Sequence, residues 1–406
     1  MKKQGSLFVN LGGKVMPKLA SSLNNVYNKS LDLLAPSGIR SFDKKISNID
    51  GIIKLTIGEP DLNTPEHVKK AGADSIMNND SHYATQTGKQ ELRDAISNYL
   101  NKMHNLNYDA ESEVVVTVGA TEAIYAAFQT ILNKGDKVIV PTPTFALYFP
   151  IIKILGATPI KVDTSDNDFV LSPEKLKETL DKEGSSVKAV LLNYPGNPTG
   201  VEYSKDDLQK LANIIKKRKL FVVSDEIYSD ITYDVKHYSI AEMLPEQTLY
   251  ISGLSKSHAM TGYRVGYICG PSPIIKKLSM VHAFLVTATT NSAQVAAEEA
   301  LKNGMQDPTE MSKIYKKRRD ILQKGLTELG FDMPQPKGAF YMFAKIPDQF
   351  GKDDEAFALD LAKKAKVGVI PGSAFGPGGE GHIRFSYAAS DETIHEALKR
   401  LKSYLN

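Results

Sequence analysis

The stretch richest in chemistry is Gly253-Leu254-Ser255-Lys256-Ser257-His258-Ala259-Met260-Thr261-Gly262-Tyr263-Arg264-Val265-Gly266. A lysine just beyond a strand, among small and apolar residues, loses much of its hydration. Its pKa falls, and the free amine can form an imine. The small neighbours leave room for a ring. Eight residues on, Arg264 offers a planar fork suited to a phosphate or carboxylate. A lysine and an arginine alone are usually solvated surface, so the whole string carries the inference. Two further pieces have a physical reading of their own. Gly119-Ala120-Thr121 closes a strand and opens a helix, where free backbone N–H groups and the positive helix end can bind a phosphate, although alone it would pass for an ordinary strand-to-helix turn. Asp225, in Ser224-Asp225-Glu226-Ile227-Tyr228, stands at a strand's C-terminal end, where open α/β sheets place ligands; a lone aspartate there is more often a cap or turn residue.

These residues need a scaffold, and the chain spells one out. From about Glu113 to Gly270, short β-branched runs (EVVVTVG, KVIVP, TPIKVD, VKAVLLNYP, FVVSDEIY, TLYISG and YRVGYICG) alternate with amphipathic stretches. That rhythm predicts an α/β fold with a mostly parallel seven-stranded sheet covered by helices on both faces. Within it, Ile124, Ala127, Phe128, Ile131 and Leu132 form one stripe of a helix over Ala120 to Leu132, with Asn133-Lys134-Gly135 as its expected C-cap. After about Pro308 the pattern becomes a long charged helix through Leu329, short strands around GAFYMFAKI, VGVIPG and HIRFSYA, and a closing helix from Asp391. The expected organisation is therefore a large domain over 59–306 and a smaller α+β domain built from 30–58 and 307–406.

Composition excludes several function classes. Fifty basic against 47 acidic residues give +3, and no charge run suggests a nucleic-acid arm. The single cysteine, Cys269, permits neither an internal disulfide nor a thiolate metal cluster, which points to the cytoplasm. No apolar stretch reaches the roughly 18–20 residues of a membrane helix. No G-x-G-x-x-G follows a strand at the right place for a nicotinamide enzyme. His82, His258 and His382 lack metal-ligand spacing, so they read as structural and no metal is expected. Residues 1–29 form an N-terminal arm with two readings. Gly12-Gly13 is encoded by a purine-rich string that could hold a ribosome-binding sequence just ahead of Met16, making Met16 the start; the alternative is a disordered, natively translated arm.

The lysine string resembles the pyridoxal 5'-phosphate (PLP) attachment signature of class I and II aminotransferases, enzymes of fold type I. The likeness extends from about Ser30 to the C-terminus through IGEPDLNTPEHV, HYATQTGKQELR, VTVGATEAI, PTPTF, NYPGNPTG, SDEIY and HIRFSYA. Nearest in appearance are the aromatic amino acid and aspartate aminotransferases of low-GC Gram-positive bacteria. The resemblance implies that Lys256 holds PLP as a Schiff base and then serves as general base. Gly119, Ala120, Thr121, Ser255 and Arg264 would cup the phosphate. Phe145 would stack on the pyridine ring, Asp225 would keep the ring nitrogen protonated, and Asn197 and Tyr228 would bond the ring hydroxyl oxygen. Arg384 would clamp the substrate α-carboxylate, with Asn197 and Phe145 also near the substrate and the backbone of Gly58 approaching it. Tyr83 would reach the phosphate of a neighbouring subunit's cofactor, implying a homodimer with shared active sites. Taken singly, Phe145 would read as core, Asn197 as a turn residue and Tyr228 as packing. One position departs from the pattern: Gly253 stands where the family usually has a serine, leaving Ser252 or Ser255 to compensate.

The implied reaction is a ping-pong transfer of an amino group from an L-amino acid to a 2-oxo acid such as 2-oxoglutarate. A PLP-dependent C–S β-lyase is the chief rival, since it would use the same cradle but need no oxo-acid acceptor. A sensor domain of a transcription regulator is disfavoured, because about 30 residues before the first motif helix cannot supply a DNA-binding module. Thr121 brings no cation to a distal carboxylate, and spacing identifies no arginine dedicated to one. Aromatic or broad apolar donors are thus expected, with aspartate, alanine and N-acetyl-diaminopimelate open.

Overall fold

The computed structural model describes residues 17–34 and 36–405, so the choice of start at Met16 lies outside the described residues. Its strands are β1 (Ile53–Lys54), β2 (Val114–Val118), β3 (Lys137–Thr142), β4 (Thr158–Asp163), β5 (Val187–Asn193) and β6 (Phe221–Asp225), followed by β7 (Thr248–Gly253), β8 (Val265–Cys269), β9 (Tyr341–Lys345), β10 (Val367–Gly368), β11 (Ile370–Pro371) and β12 (His382–Ser386). Seven of them form one sheet in the order β2-β8-β7-β6-β5-β3-β4. The predicted α/β sheet is thus present, and each of the seven β-branched runs contributes one strand. These runs are apolar on both faces because helices cover both sides, so residues such as Val190, Val222, Val223 and Ile251 are fully enclosed.

Strand direction explains where the site must lie. β8 runs antiparallel to both β2 and β7, so β2 points the same way as the parallel set β3 to β7. The C-terminal ends of β2, β3, β5, β6 and β7 therefore share one edge. That edge delivers Gly119, Phe145, Asn193, Asp225 and Lys256, and β8 begins there directly after Arg264.

A second group of elements closes over this edge. β11, β12 and β9 form an antiparallel sheet, and β1 pairs in parallel with β10. The helix Gly38–Ile46 buries Phe42 and Ile46 in the same apolar cluster as Phe343, Ile370, Phe385 and Leu401. Tyr228 and Ile231 belong to that cluster too, which ties the small sheet to the segment that follows β6.

The helix after β2 differs from expectation at both ends. It spans Gly119–Ile131, and Leu132 is already extended, so Asn133-Lys134-Gly135 is not its cap. The Asp136 carboxylate instead accepts from the backbone N–H of Asn133 at 2.7 Å, and Gly135, at φ +92°, donates to Gly156 O; the glycine makes the turn into β3.

The start of that helix is pressed onto β8. A Cβ at Gly266 would stand 2.5 Å from both Ala120 N and Gly119 C, backbone atoms with no room to yield. Gly266→Ala is therefore expected to destabilise the protein by about 1–3 kcal/mol. Denaturant unfolding checks it, and an unchanged midpoint would mean that strand and helix separate without cost.

Candidate active site

The shared edge opens into a cleft of about 850 Å³. Of the expected residues, Gly58, Ala120, Thr121, Phe145, Asn197, Asp225, Tyr228, Ser255, Lys256, Arg264 and Arg384 all line it. Gly119 lies just behind: a Cβ there would be 2.5 Å from Arg264 Nη2, so the guanidinium rests directly on the glycine backbone at the helix N-terminus. Arg264 Nη1 donates to Thr261 O at 2.9 Å, which fixes the fork beside the free N–H groups of that helix. Tyr83 is not in this chain's cleft; it is 91 % exposed in a separate recess beside Ile76, His82 and Thr290.

Lys256 follows β7 on the one-turn helix Leu254–Ser257. Its Nζ donates to Gly58 O at 2.5 Å and lies 5.9 Å from the ring centres of Tyr228 and Phe340. Burial lowers its pKa to about 8, against the opposing pull of Glu59, with Arg264 and Arg384 adding to the fall. Asp225, at the end of β6, accepts from the Tyr148 hydroxyl at 2.7 Å and from Ile227 N at 3.3 Å. Burial raises its carboxyl to about 6, because those donors and the distant Lys256 do not offset the lost hydration.

Arg384, in β12, is 2 % exposed and has no carboxylate partner among the described residues. Nη1 donates to Asn197 Oδ1 at 2.9 Å, Nη2 donates to Thr56 O at 2.6 Å, and Nε is buried without a partner among the described residues. Its guanidinium lies over the rings of Tyr341 at 4.5 Å and Phe375 at 5.1 Å. The two serines left open by sequence separate cleanly. Ser252 turns its hydroxyl away to Glu226 O, whereas Ser255 lines the cleft. No side chain fits at Gly253, where a Cβ would be 2.7 Å from the Gly266 Cα. His258 bonds Ser257 and Gly304 O in the interior, consistent with a structural role.

Sequence reasoning missed Tyr148, Asn193, Thr56 and Tyr341. Tyr148 stands three residues after Phe145, one turn on, and that spacing was the available clue. Asn193 ends β5 and accepts from Asn197 N at 3.2 Å while donating to Asp225 O at 3.0 Å, so it joins the two motifs. Tyr341 carried no signal beyond a strand-like run.

These groups fit PLP on their own geometry. A buried acid with no cation bonded to it among the described residues suits a protonated ring nitrogen, a guanidinium at a helix N-terminus suits a phosphate, a depressed amine suits an aldehyde, and an orphaned buried Nε suits a carboxylate. Comparison with known proteins points the same way. The family model described as aminotransferase class I and II matches residues 50–401. The probable N-acetyl-LL-diaminopimelate aminotransferase of Bacillus subtilis is 44% identical, over 91% of this chain and 93% of its own. Aromatic-amino-acid aminotransferase 2 of Thermococcus litoralis is 36% identical over 92% of this chain and 97% of its own. The solved structure of the aspartate aminotransferase from Thermus thermophilus with maleate superposes with a TM-score of 0.88 at 34% identity, covering 94% of this chain and 99% of that one.

Asp225 gives a pH-dependent prediction for the cofactor-free protein. Its folded pKa of about 6 lies above the unfolded value of 3.8, so the folded state holds the proton more tightly and this group loses stability as pH rises through that window. Asp225→Asn removes the penalty. The variant's cofactor-free form should exceed wild type by about 1–3 kcal/mol at pH 8 and match it below about pH 4. Denaturant melts at the two pH values test this, and equal stability at pH 8 would refute it.

Proposed function

Because the chain belongs to the class I and II aminotransferases, which depend on PLP, we propose that it moves an amino group from an L-amino acid to a 2-oxo acid such as 2-oxoglutarate in a ping-pong cycle. The observation that carries this reading is the Lys256 amine, desolvated to a pKa of about 8 in the cleft that also holds Asp225 and Arg384. The bound cofactor supplies an aldehyde carbon and a ring able to take up the electron pair left when the substrate Cα–H bond breaks. Lys256 Nζ takes the Cα proton and returns it, its reach set by the hold of Gly58 O. The Asp225 carboxylate would meet the ring nitrogen, Phe145 would pack on the ring, and Asn197 and Tyr228 would bond the ring oxygen. Arg264, Ser255, Thr121 and the N–H groups at Gly119 and Ala120 would hold the phosphate, and Arg384 would turn its fork to the α-carboxylate. Residues 30–58 and 307–406 act as the small domain over this site. Tyr83, exposed here, reaches a second copy's phosphate in a homodimer.

For the donor side chain, Ile39, Ile57 and Ile124 on the cleft wall support an aromatic or broad apolar substrate. A specific observation favours a second, acidic reading. The helix Gly38–Ile46 turns Arg40 and Lys44 toward the cleft, and neither side chain has a partner among the described residues. Asp43 between them is already engaged by Lys54 at 3.1 Å and Thr56 at 2.7 Å. Two uncompensated cations at the mouth suit the distal carboxylate of 2-oxoglutarate and of acidic donors.

Two measurements test these readings. Borohydride reduction of the holoenzyme should leave a pyridoxyl group on the Lys256 peptide, and Lys256→Ala should lower kcat by roughly 10²-fold or more; an unlabelled position or undiminished turnover sinks the assignment. Arg40→Gln should raise KM for 2-oxoglutarate by about fivefold while leaving pyruvate within twofold. An equal effect on both acceptors removes Arg40 from substrate choice.

A further inference from the structure

Tyr341 lines the cleft from β9, is 1 % exposed, and meets three of the assigned groups at once. Its hydroxyl lies 2.7 Å from the Tyr228 hydroxyl. Its ring supports the Arg384 guanidinium at 4.5 Å. Its hydroxyl also fills the space beside Gly58, where a Cβ would stand 2.5 Å away. The Lys256 acceptor, the carboxylate clamp and the ring-oxygen donor thus converge on one phenol.

A phenol carries one proton and can accept another hydrogen bond. Only one proton can lie between two hydroxyl oxygens 2.7 Å apart. On the reading above, Tyr228 directs its own proton to the cofactor's ring oxygen, so the proton in the Tyr228–Tyr341 contact must come from Tyr341. Donation into the Tyr228 oxygen polarises its O–H bond, as in any chain of hydrogen bonds. Burial raises the pKa of Tyr341, which keeps that proton in place.

We propose that Tyr341 is a positioning residue that donates to Tyr228, making Tyr228 a stronger donor to the cofactor's ring oxygen, while its ring holds the plane of Arg384. The inference rests on the aminotransferase reading and adds a residue to it.

The test is a pH titration of the bound cofactor's visible absorbance. Tyr341→Phe keeps the ring and deletes the donor; the midpoint should rise by roughly half a pH unit, with KM for the amino donor within twofold of wild type. In a Tyr228→Phe background the same change should add nothing. Placing 3-fluorotyrosine at position 341, a nearly isosteric and stronger donor, should move the midpoint down. Tyr341→Leu, which removes the ring, should raise KM about five- to tenfold. An unmoved midpoint in both the Phe and fluorotyrosine proteins, or a shift that survives in the Tyr228→Phe background, overturns the proposal. A wild-type protein without cofactor absorbance would instead refute the aminotransferase reading itself.

Discussion

Two ionisable groups, Asp225 and Arg384, are buried in one cleft and neither forms an ion pair among the described residues, a constraint around which the rest of the site is arranged. Asp225 is met by a tyrosine hydroxyl and a backbone N–H; Arg384 is met by an amide oxygen, a carbonyl and two aromatic faces. Neutral partners satisfy hydrogen-bonding geometry but leave the charge uncancelled, so the missing charge must arrive with a ligand. A glutamate beside Arg384 or a lysine against Asp225 would stabilise the empty protein and leave less charge for a ligand to meet. The fold accepts that local cost, and the apolar clusters on both faces of the sheet offset it.

The constraint explains why the edge of the sheet is built from close backbone contacts. Gly253 lies against Gly266, Gly266 against the start of the helix Gly119–Ile131, and Gly119 against the Arg264 guanidinium. Side chains at these points would push the helix end away from β8 and open a path for water. Water would then hydrate Arg264 and the helix N-terminus, and the weak dipoles that hold a phosphate matter most where water is excluded.

Much of this was legible in the sequence, for reasons that differ by level. The seven β-branched runs gave the sheet because strands buried on both faces must be apolar throughout, a signal that needs no partner. The Lys256 string was legible because small residues around a lysine are unusual enough to imply a site. The two acids of Ser224-Asp225-Glu226 show where such reading stops. Strand alternation puts neighbours on opposite faces, yet cannot say which one meets the ligand. Glu226 turns inward to Ser224, Ser239 and His237, which, despite its burial, Glu202 and Glu226 hold protonated up to a pKa of about 10. Tyr148, Tyr341 and Arg40 were hidden for a related reason. Each enters the cleft through tertiary packing, from an element whose local pattern reads as ordinary strand or surface helix. The helix C-cap was misplaced because glycine at positive φ serves a β-turn as readily as a helix end.

The Lys256 amine shows how finely such a site is balanced. At a pKa of about 8 the neutral form at pH 7.5 is roughly two-hundredfold more abundant than at the ordinary lysine value. Burial is the largest cause, and Glu59 works against it, so neither charge placement alone nor apolar surroundings alone set the result. Had Glu59 approached more closely, the ammonium form would be held and the amine would be a poor nucleophile. Had the two arginines stood nearer, a proton taken from substrate would not stay on nitrogen long enough to be returned. Burial and Glu59 pull the amine in opposite directions, and on the proposed reading that balance would let it both accept and donate a proton, with the rings of Tyr228 and Phe340 near Nζ contributing to the burial.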